Sequence, residues 1–220
     1  MIYLLLLFLE IALLFFLSRA VSQALSRFLS IQILSFIFLP GVIIHELSHM
    51  LVASVLFVRV GDMEFSPKIT EGKLKLGSVA IAKTDPVRRA IIGFAPVFTG
   101  VLIILGIIYF FSNSFLLFQE NQIYMTVFMV LAIIYILFAI SNTMFSSRSD
   151  MEGTLELIIV FLVIFAVLYF LGFRVPVSFL EYLNTPGIVK LFKEACLFLS
   201  APIAIDFVIL RGIKLFRKEL

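Results

Sequence analysis

Six long apolar stretches, separated by short polar connections, constrain this chain more than any other feature. The hydrocarbon core of a bilayer is about 30 Å thick and needs about 20 apolar residues per helix. Hydrophobic residues make up 62% of the 220 residues and charged residues only 14%, against about 25% in soluble domains. So few charges cannot cover a water-soluble fold, which excludes a cytosolic globular enzyme. The sequence predicts an all-α polytopic membrane protein in the lipid bilayer, with residues 1–220 forming a single membrane-embedded domain.

Hydropathy places about six transmembrane helices. Their predicted bounds are residues 2–17, 31–58, 90–111, 123–145, 155–171 and about 195–216. The first is interpreted as a retained helix and not as a signal peptide, because no positive charge precedes it and no clear cleavage site follows it. The sixth contains Pro202 and Asp206, and we expect Asp206 to hydrogen-bond to a neighbouring helix.

The distribution of Lys and Arg predicts the orientation. If both termini are cytoplasmic, twelve of the 17 Lys and Arg residues lie on the cytoplasmic side and five on the other. Cytoplasmic connections carry an excess of these residues in membrane proteins. We therefore expect an integral, multi-pass protein of the cell membrane with both termini in the cytoplasm. No basic face with interleaved aromatic residues is present, so nucleic acid is not an expected partner.

The longest polar stretch, residues 59–89, has the alternation of β-strands. Lys73-Leu74-Lys75-Leu76 follows Glu71-Gly72, and Val79-Ala80-Ile81 comes shortly after. Apolar residues at every second position around a glycine-containing turn predict a β-hairpin. We expect this small hairpin between helices 2 and 3 to be cytoplasmic or interfacial. The alternative is a solvated loop.

His45-Glu46-Leu47-Ser48-His49 is an H-E-x-x-H motif on the second predicted helix, and it contains both histidines of the chain. Residues four apart share a helix face, so both imidazoles can bind one Zn²⁺ while Glu46 acts as general base toward a zinc-bound water. The alternative is that these side chains pair with other helices for packing. An ionisable group at bilayer depth costs about 2.5–3.5 kcal/mol, which favours a functional role.

A catalytic zinc site needs a third protein ligand and an open position. Since the chain has no other histidine, the third ligand is a carboxylate or, less favourably, the thiol of Cys196. Asp150 and Glu152, just past the fourth predicted helix, are the acidic candidates. The predicted helix bounds put the motif about 18 Å from the end of its helix. Such an acid must therefore be drawn into the membrane by a broken or re-entrant helix end.

Together these features resemble the site-2 protease family of intramembrane zinc metalloproteases. That family has H-E-x-x-H on one helix and N-x-x-P-x-x-x-L-D-G two spans later, and here Asn142 and Asp150 are likewise eight residues apart. Helix 3 carries Gly93-Phe94-Ala95-Pro96, which is similar to a Gly–Pro element of the family. Three residues depart from the second motif: Phe145 replaces Pro, Ser149 replaces Leu and Met151 replaces Gly. Glu152 therefore stays open as the third ligand.

The resemblance implies an intramembrane zinc metalloprotease that hydrolyses peptide bonds of transmembrane or membrane-proximal substrates. Its implied metal ligands are His45, His49 and Asp150, with Glu46 as the general base and Asn142 as an oxyanion donor. The catalytic core is then about residues 31–153. One alternative is a catalytically inactive relative that binds membrane clients or assembles with partners. Another is a transporter that uses Glu10, Asp206 and the polar cluster of helix 2.

Overall fold

The computed structural model describes the backbone of residues 2–65, 68–70, 73–75, 77–118, 123–145, 148–173, 176 and 181–216. Side chains are described for the same residues except 68–70, 73–75, 112–118, 148–158 and 216. The long helices are α1 (Ile2–Leu25), α2 (Ile31–Val55), α3 (Pro86–Phe118), α4 (Ile123–Thr143), α5 (Arg148–Phe170) and α6 (Pro186–Phe216). Four short strands lie between α2 and α3: β1 (Val60–Glu64), β2 (Lys68–Thr70), β3 (Lys73–Lys75) and β4 (Ser78–Ile81). The predicted all-α polytopic membrane fold with a small β-hairpin is confirmed.

Five of these helices are long and apolar enough to cross a membrane, within the part of the chain that the structure describes: α1, α2, α3, α4 and α6. The part of α5 whose side chains are described, Ile159–Phe170, is a shorter apolar helix. Most large side chains of this segment are exposed. An apolar surface of this extent fits contact with lipid, so the chain is an integral, multi-pass membrane protein.

Two helices extend well beyond their predicted bounds into polar sequence. Helix α1 continues through Ser18, whose hydroxyl donates to the carbonyl oxygen of Phe15 one turn earlier. Helix α6 begins at Pro186 and not near residue 195, since proline is tolerated at the first position of a helix. Its first turns carry an ion pair between Lys190 and Glu194 at 3.8 Å. Hydropathy underestimates the length of such helices, because it measures how apolar a segment is and not its backbone conformation.

The hairpin consists of two antiparallel strand pairs, one nested inside the other in sequence. Val60 lies opposite Ile81 in the outer β1–β4 pair, and Lys68 lies opposite Lys75 in the inner β2–β3 pair. Glu71-Gly72, between β2 and β3, is outside the described residues. At the base of the hairpin, Val60 and Ile81 pack on a buried cluster formed by Ala53, Val58 and Ile92. The hairpin is therefore anchored where α2 ends and α3 begins.

Glycine allows α2 and α4 to approach closely. A side chain added at Gly41 of α2 would collide with the hydroxyl of Thr143 and the carbonyl of Ala139, both on α4. Small residues at helix crossings allow such contact between backbones in membranes. Because α4 ends at Thr143, it ends beside Gly41, one helical turn before His45. The end of α4 is thus already close to the depth of the H-E-x-x-H motif.

Helices α1 and α6 run in the same direction. The Cys196 thiol donates to the carbonyl oxygen of Tyr3 near the start of α1. Further along both helices, Leu14 and Leu199 share one buried cluster. Val21 lies in a second cluster against which Ile209 packs. Because the two helices are parallel, the start of α1 and the end of α6 lie toward opposite ends of the helix bundle.

Candidate metal centre

His45 and His49 face each other on α2, one turn apart, and each side chain is only 4% exposed. The ring centroids are 4.8 Å apart and the rings are nearly perpendicular, at 83°. Their Nε2 atoms lie 3.2 Å from each other. The helix thus brings one nitrogen of each ring together, as the i, i+4 spacing predicts, and without a metal the two nitrogens are within hydrogen-bond distance of each other.

This separation fits the binding of a zinc ion. Two nitrogen ligands at about 2.0–2.1 Å from one zinc, at a tetrahedral angle, are about 3.3 Å apart. The observed 3.2 Å between the two Nε2 atoms matches that value. The residues present therefore fit two of the ligand positions of a tetrahedral site.

The second ring nitrogen of His49 makes a hydrogen bond to the backbone of α3. Nδ1 lies 2.8 Å from the carbonyl oxygen of Ile92, and the contact is buried. Metal-binding histidines commonly donate their other N–H to a carbonyl or carboxylate, which sets the ring orientation and tautomer. With Nδ1 as the donor, the neutral His49 ring presents the lone pair of Nε2 toward His45.

Glu46 lies beside the histidines and is 6% exposed. Gly77, a buried residue just before β4, packs against it. A Cβ built at Gly77 would be 2.9 Å from Oε1 of Glu46 and 2.7 Å from Cγ1 of Val42. The hairpin backbone thus forms one wall of the space around the Glu46 carboxylate, and only glycine allows this approach.

The two acidic candidates for a third ligand have side chains that the structure does not describe. Asp150 and Glu152 are in the first turns of α5, but their side chains lie outside the described residues. Among the side chains that are described, no three from His, Cys, Asp and Glu come together as a metal site. Cys196, the thiol alternative, is described and lies at the contact between α1 and α6. The assignment of Asp150 therefore stays a prediction.

Asn142 is directed toward α6. Its Nδ2 donates to Oδ1 of Asp206 at 2.7 Å and to the carbonyl oxygen of Phe138 at 3.0 Å. These two bonds use both N–H groups of the amide. The expected bond from Asp206 to a neighbouring helix is confirmed. Donation from Asn142 to a substrate oxyanion would require it to give up one of these partners.

Two residues of the site were not identified from the sequence. Nothing in the residue type of Ile92 indicates that its carbonyl belongs to the site. The available indication is Pro96, four residues later, because proline has no N–H to donate to that carbonyl in a helix. Gly77 lies within the segment predicted as a hairpin, but its contact with Glu46 joins residues that are 31 positions apart, and no local pattern in the sequence indicates such a contact.

No family model, curated protein or solved structure matches the chain.

Proposed function

We propose that the chain is an intramembrane zinc metalloprotease that hydrolyses peptide bonds of transmembrane or membrane-proximal substrates. The observation that carries this proposal is the 3.2 Å separation of the two imidazole Nε2 atoms, buried on a membrane helix with Glu46 beside them. His45 and His49 would hold the zinc ion. Asp150 is the proposed third ligand, and Glu152 is the alternative.

Bound zinc supplies Lewis-acid chemistry that makes water a nucleophile near neutral pH. Glu46 accepts the proton of the attacking water and then donates it to the nitrogen of the departing amine. Burial of Glu46 against Gly77 holds its carboxylate near the histidines. His49 is kept in its ligand orientation by the Ile92 carbonyl.

The position of the end of α4 supports the proposed third ligand. Because α4 ends beside Gly41, the connection to α5 begins near the depth of His45. For Asp150 to bind the metal, the chain after α4 therefore does not have to cross the distance of about 18 Å between the motif and the predicted end of helix 2. Membrane proteins tolerate a helix end at this depth when it is buried in protein, and Met144 and Phe145, which follow α4, are buried.

A second candidate function is a catalytically inactive protein that binds client helices. The commitment of both Asn142 N–H groups to Asp206 and Phe138 favours it, because an oxyanion donor is then missing. Such a protein needs neither turnover nor an intact Glu46.

The test combines metal analysis with a cleavage assay. The purified protein should contain about one zinc per chain, and a His45→Ala His49→Ala double variant should contain none. In liposomes, a library of synthetic transmembrane peptides read by mass spectrometry should show cleavage by the native chain. Glu46→Gln should keep its zinc and lose about 100- to 10,000-fold in rate. Glu64→Gln, at an exposed glutamate of the hairpin, should match the native chain.

Three outcomes separate the candidate functions. Absence of zinc from native protein purified without chelators would reject the metalloprotease. Zinc together with cleavage that survives in Glu46→Gln would reject Glu46 as the base. Zinc without cleavage of any peptide would favour the client-binding protein.

For the location we propose the cell membrane with a cytoplasmic N-terminus. The charge distribution favours both termini on that side, whereas the parallel α1 and α6 favour opposite sides. Reporter domains fused separately to each end, with accessibility measured in intact cells, distinguish the two arrangements.

A further inference from the structure

Pro96 interrupts the hydrogen-bond ladder of α3 at the residue that contacts the candidate metal centre. In an α-helix the N–H of residue 96 donates to the carbonyl of residue 92, but proline has no N–H. Helix α3 nevertheless continues through Pro96. The Ile92 carbonyl is thereby released from its usual helical partner. Ile92 is only 3% exposed, so solvent is a poor substitute, and a buried carbonyl without a partner costs free energy.

His49 supplies a hydrogen bond to this carbonyl. Its Nδ1 lies 2.8 Å from the oxygen of Ile92. A carbonyl oxygen only accepts, so Nδ1 carries the hydrogen. In the neutral ring Nε2 is then unprotonated, and this atom is the one that lies 3.2 Å from Nε2 of His45. The released carbonyl therefore selects the tautomer in which His49 presents a lone pair to the site.

The same arrangement recurs at another helix contact. Pro40 lies within α2, and its missing N–H releases the carbonyl of Phe36 in the same way. The hydroxyl of Tyr135 on α4 lies 3.3 Å from that oxygen. In both cases a proline inside a helix provides a backbone acceptor for a side chain of a neighbouring helix.

We propose that Pro96 is a positioning residue for the metal centre: by withholding an N–H it reserves the Ile92 carbonyl for His49 and sets the orientation and tautomer of that ring. The proposal rests on the proposed function only in naming zinc as the ligand. If Pro96 acted only through the packing of its fully buried ring, every residue without that ring would weaken the site. A residue that lacks both the ring and the N–H therefore distinguishes the two roles.

The test compares two replacements of Pro96, one that introduces a backbone N–H at position 96 and one that does not. Pro96→Ala introduces a donor that competes with His49 for Ile92, and zinc affinity, measured by competition with a chelator, should fall about 10- to 100-fold. Replacement of Pro96 by lactic acid, which forms an ester without N–H and without a ring, should keep the native affinity. Pro202→Ala, at a fully buried proline of α6, is the matched control and should also leave affinity unchanged.

A second readout needs neither zinc nor activity. Because the chain has only two histidines, ¹⁵N spectra of histidine-labelled, metal-free protein resolve the tautomer of each ring, and a His45→Gln variant assigns them. Native protein and the lactic acid variant should show His49 protonated at Nδ1, whereas Pro96→Ala should show a mixture of tautomers.

The outcomes overturn either the proposal or the proposed function. Protonation of native His49 at Nε2, a lactic acid variant that behaves like Pro96→Ala, or unchanged affinity and tautomer in Pro96→Ala would overturn the role of Pro96. If Pro96→Ala does not fold, the tautomer in native protein and the lactic acid variant still decide. If the native protein binds no zinc but the tautomer shifts as expected, the proposed function fails and the positioning of His49 by Pro96 is supported.

Discussion

The amide Nδ2 of Asn142 lies 2.7 Å from Oδ1 of Asp206, and this hydrogen bond joins α4 to α6 in the interior of the helix bundle. Asp206 is completely buried and Asn142 is 4% exposed. The net gain from one hydrogen bond is modest, but removal of either partner leaves the other buried and unsatisfied, which costs more.

Removal of the Asp206 carboxylate should therefore destabilise the protein. We expect Asp206→Ala to lower the free energy of unfolding by about 1–3 kcal/mol, since one N–H of Asn142 loses its acceptor. Asp206→Asn retains an acceptor oxygen and should cost less. The measurement is reversible unfolding in mixed detergent micelles, with Ser200→Ala at an exposed position of the same helix as the control. Native-like stability of Asp206→Ala would contradict the importance of this bond.

The third metal ligand can be identified by metal content. We expect Asp150→Ala to weaken zinc binding by more than the 10- to 100-fold loss of affinity that is typical of changes outside the ligand set. The purified Asp150→Ala variant should then contain little zinc, whereas Glu152→Ala should retain it. The two variants are matched controls for each other, because both remove a carboxylate from the first turns of α5. Inductively coupled plasma mass spectrometry of the purified proteins gives the answer. Zinc retained in both variants would reject a carboxylate from this segment.

A side chain at Gly77 should disturb Glu46 without affecting the histidines. The new Cβ would lie 2.9 Å from Oε1 of Glu46, so either the carboxylate or the hairpin must move. A displacement of about 1 Å at a catalytic group can cost about 100-fold in rate. Gly77→Ala should show such a loss of peptide cleavage at unchanged zinc content. Gly106→Ala, where an added Cβ meets nothing within 4 Å, should keep the native rate, and an equal rate in both variants would refute the contact.

The close crossing of α2 and α4 should not tolerate a larger residue at position 41. An added methyl group at Gly41 would collide with Thr143 and with the backbone carbonyl of Ala139, and overpacking of this kind costs about 1–3 kcal/mol. Gly41→Ala should lower the thermal stability measured in detergent by a corresponding amount. A double variant with Thr143→Ala should recover only part of the loss, because the Ala139 carbonyl remains. Full stability of the single variant would show that the helices separate at little cost.

The start of α3 should become less stable at low pH through Asp85. The backbone N–H of Arg88 donates to the Asp85 carboxylate at 3.0 Å, and this bond, assisted by the charge of Arg88, lowers the pKa of Asp85. A carboxylate with a lowered folded-state pKa contributes stability above its ordinary pKa and loses it as the pH falls through the folded value. The stability difference between native protein and Asp85→Asn should thus be present at pH 7, begin to fall near about pH 4 and disappear once the pH is below the lowered folded-state pKa. Thermal unfolding across that range measures it, and a difference independent of pH would exclude the charged cap.

Much of the architecture follows from the sequence alone. Apolar stretches of membrane-spanning length predict the helices, and period-2 alternation around a glycine predicts the hairpin; both are confirmed. The polar ends of α1 and α6 were missed, because charged turns such as that of Lys190 and Glu194 are helical without being apolar.

Within one helix, the 3.6-residue period by itself determines that His45 and His49 share a face and that Glu46 lies beside them. Which groups surround them was decided by the tertiary structure: the Ile92 carbonyl from α3, the Gly77 backbone from the hairpin, and the depth at which α4 ends beside Gly41. The physical reason is the distance along the chain over which each effect acts. Spacing along a helix is set by local backbone geometry, whereas contacts between helices depend on how closely their surfaces approach, and that distance is set by small residues and released carbonyls on segments far apart in the chain.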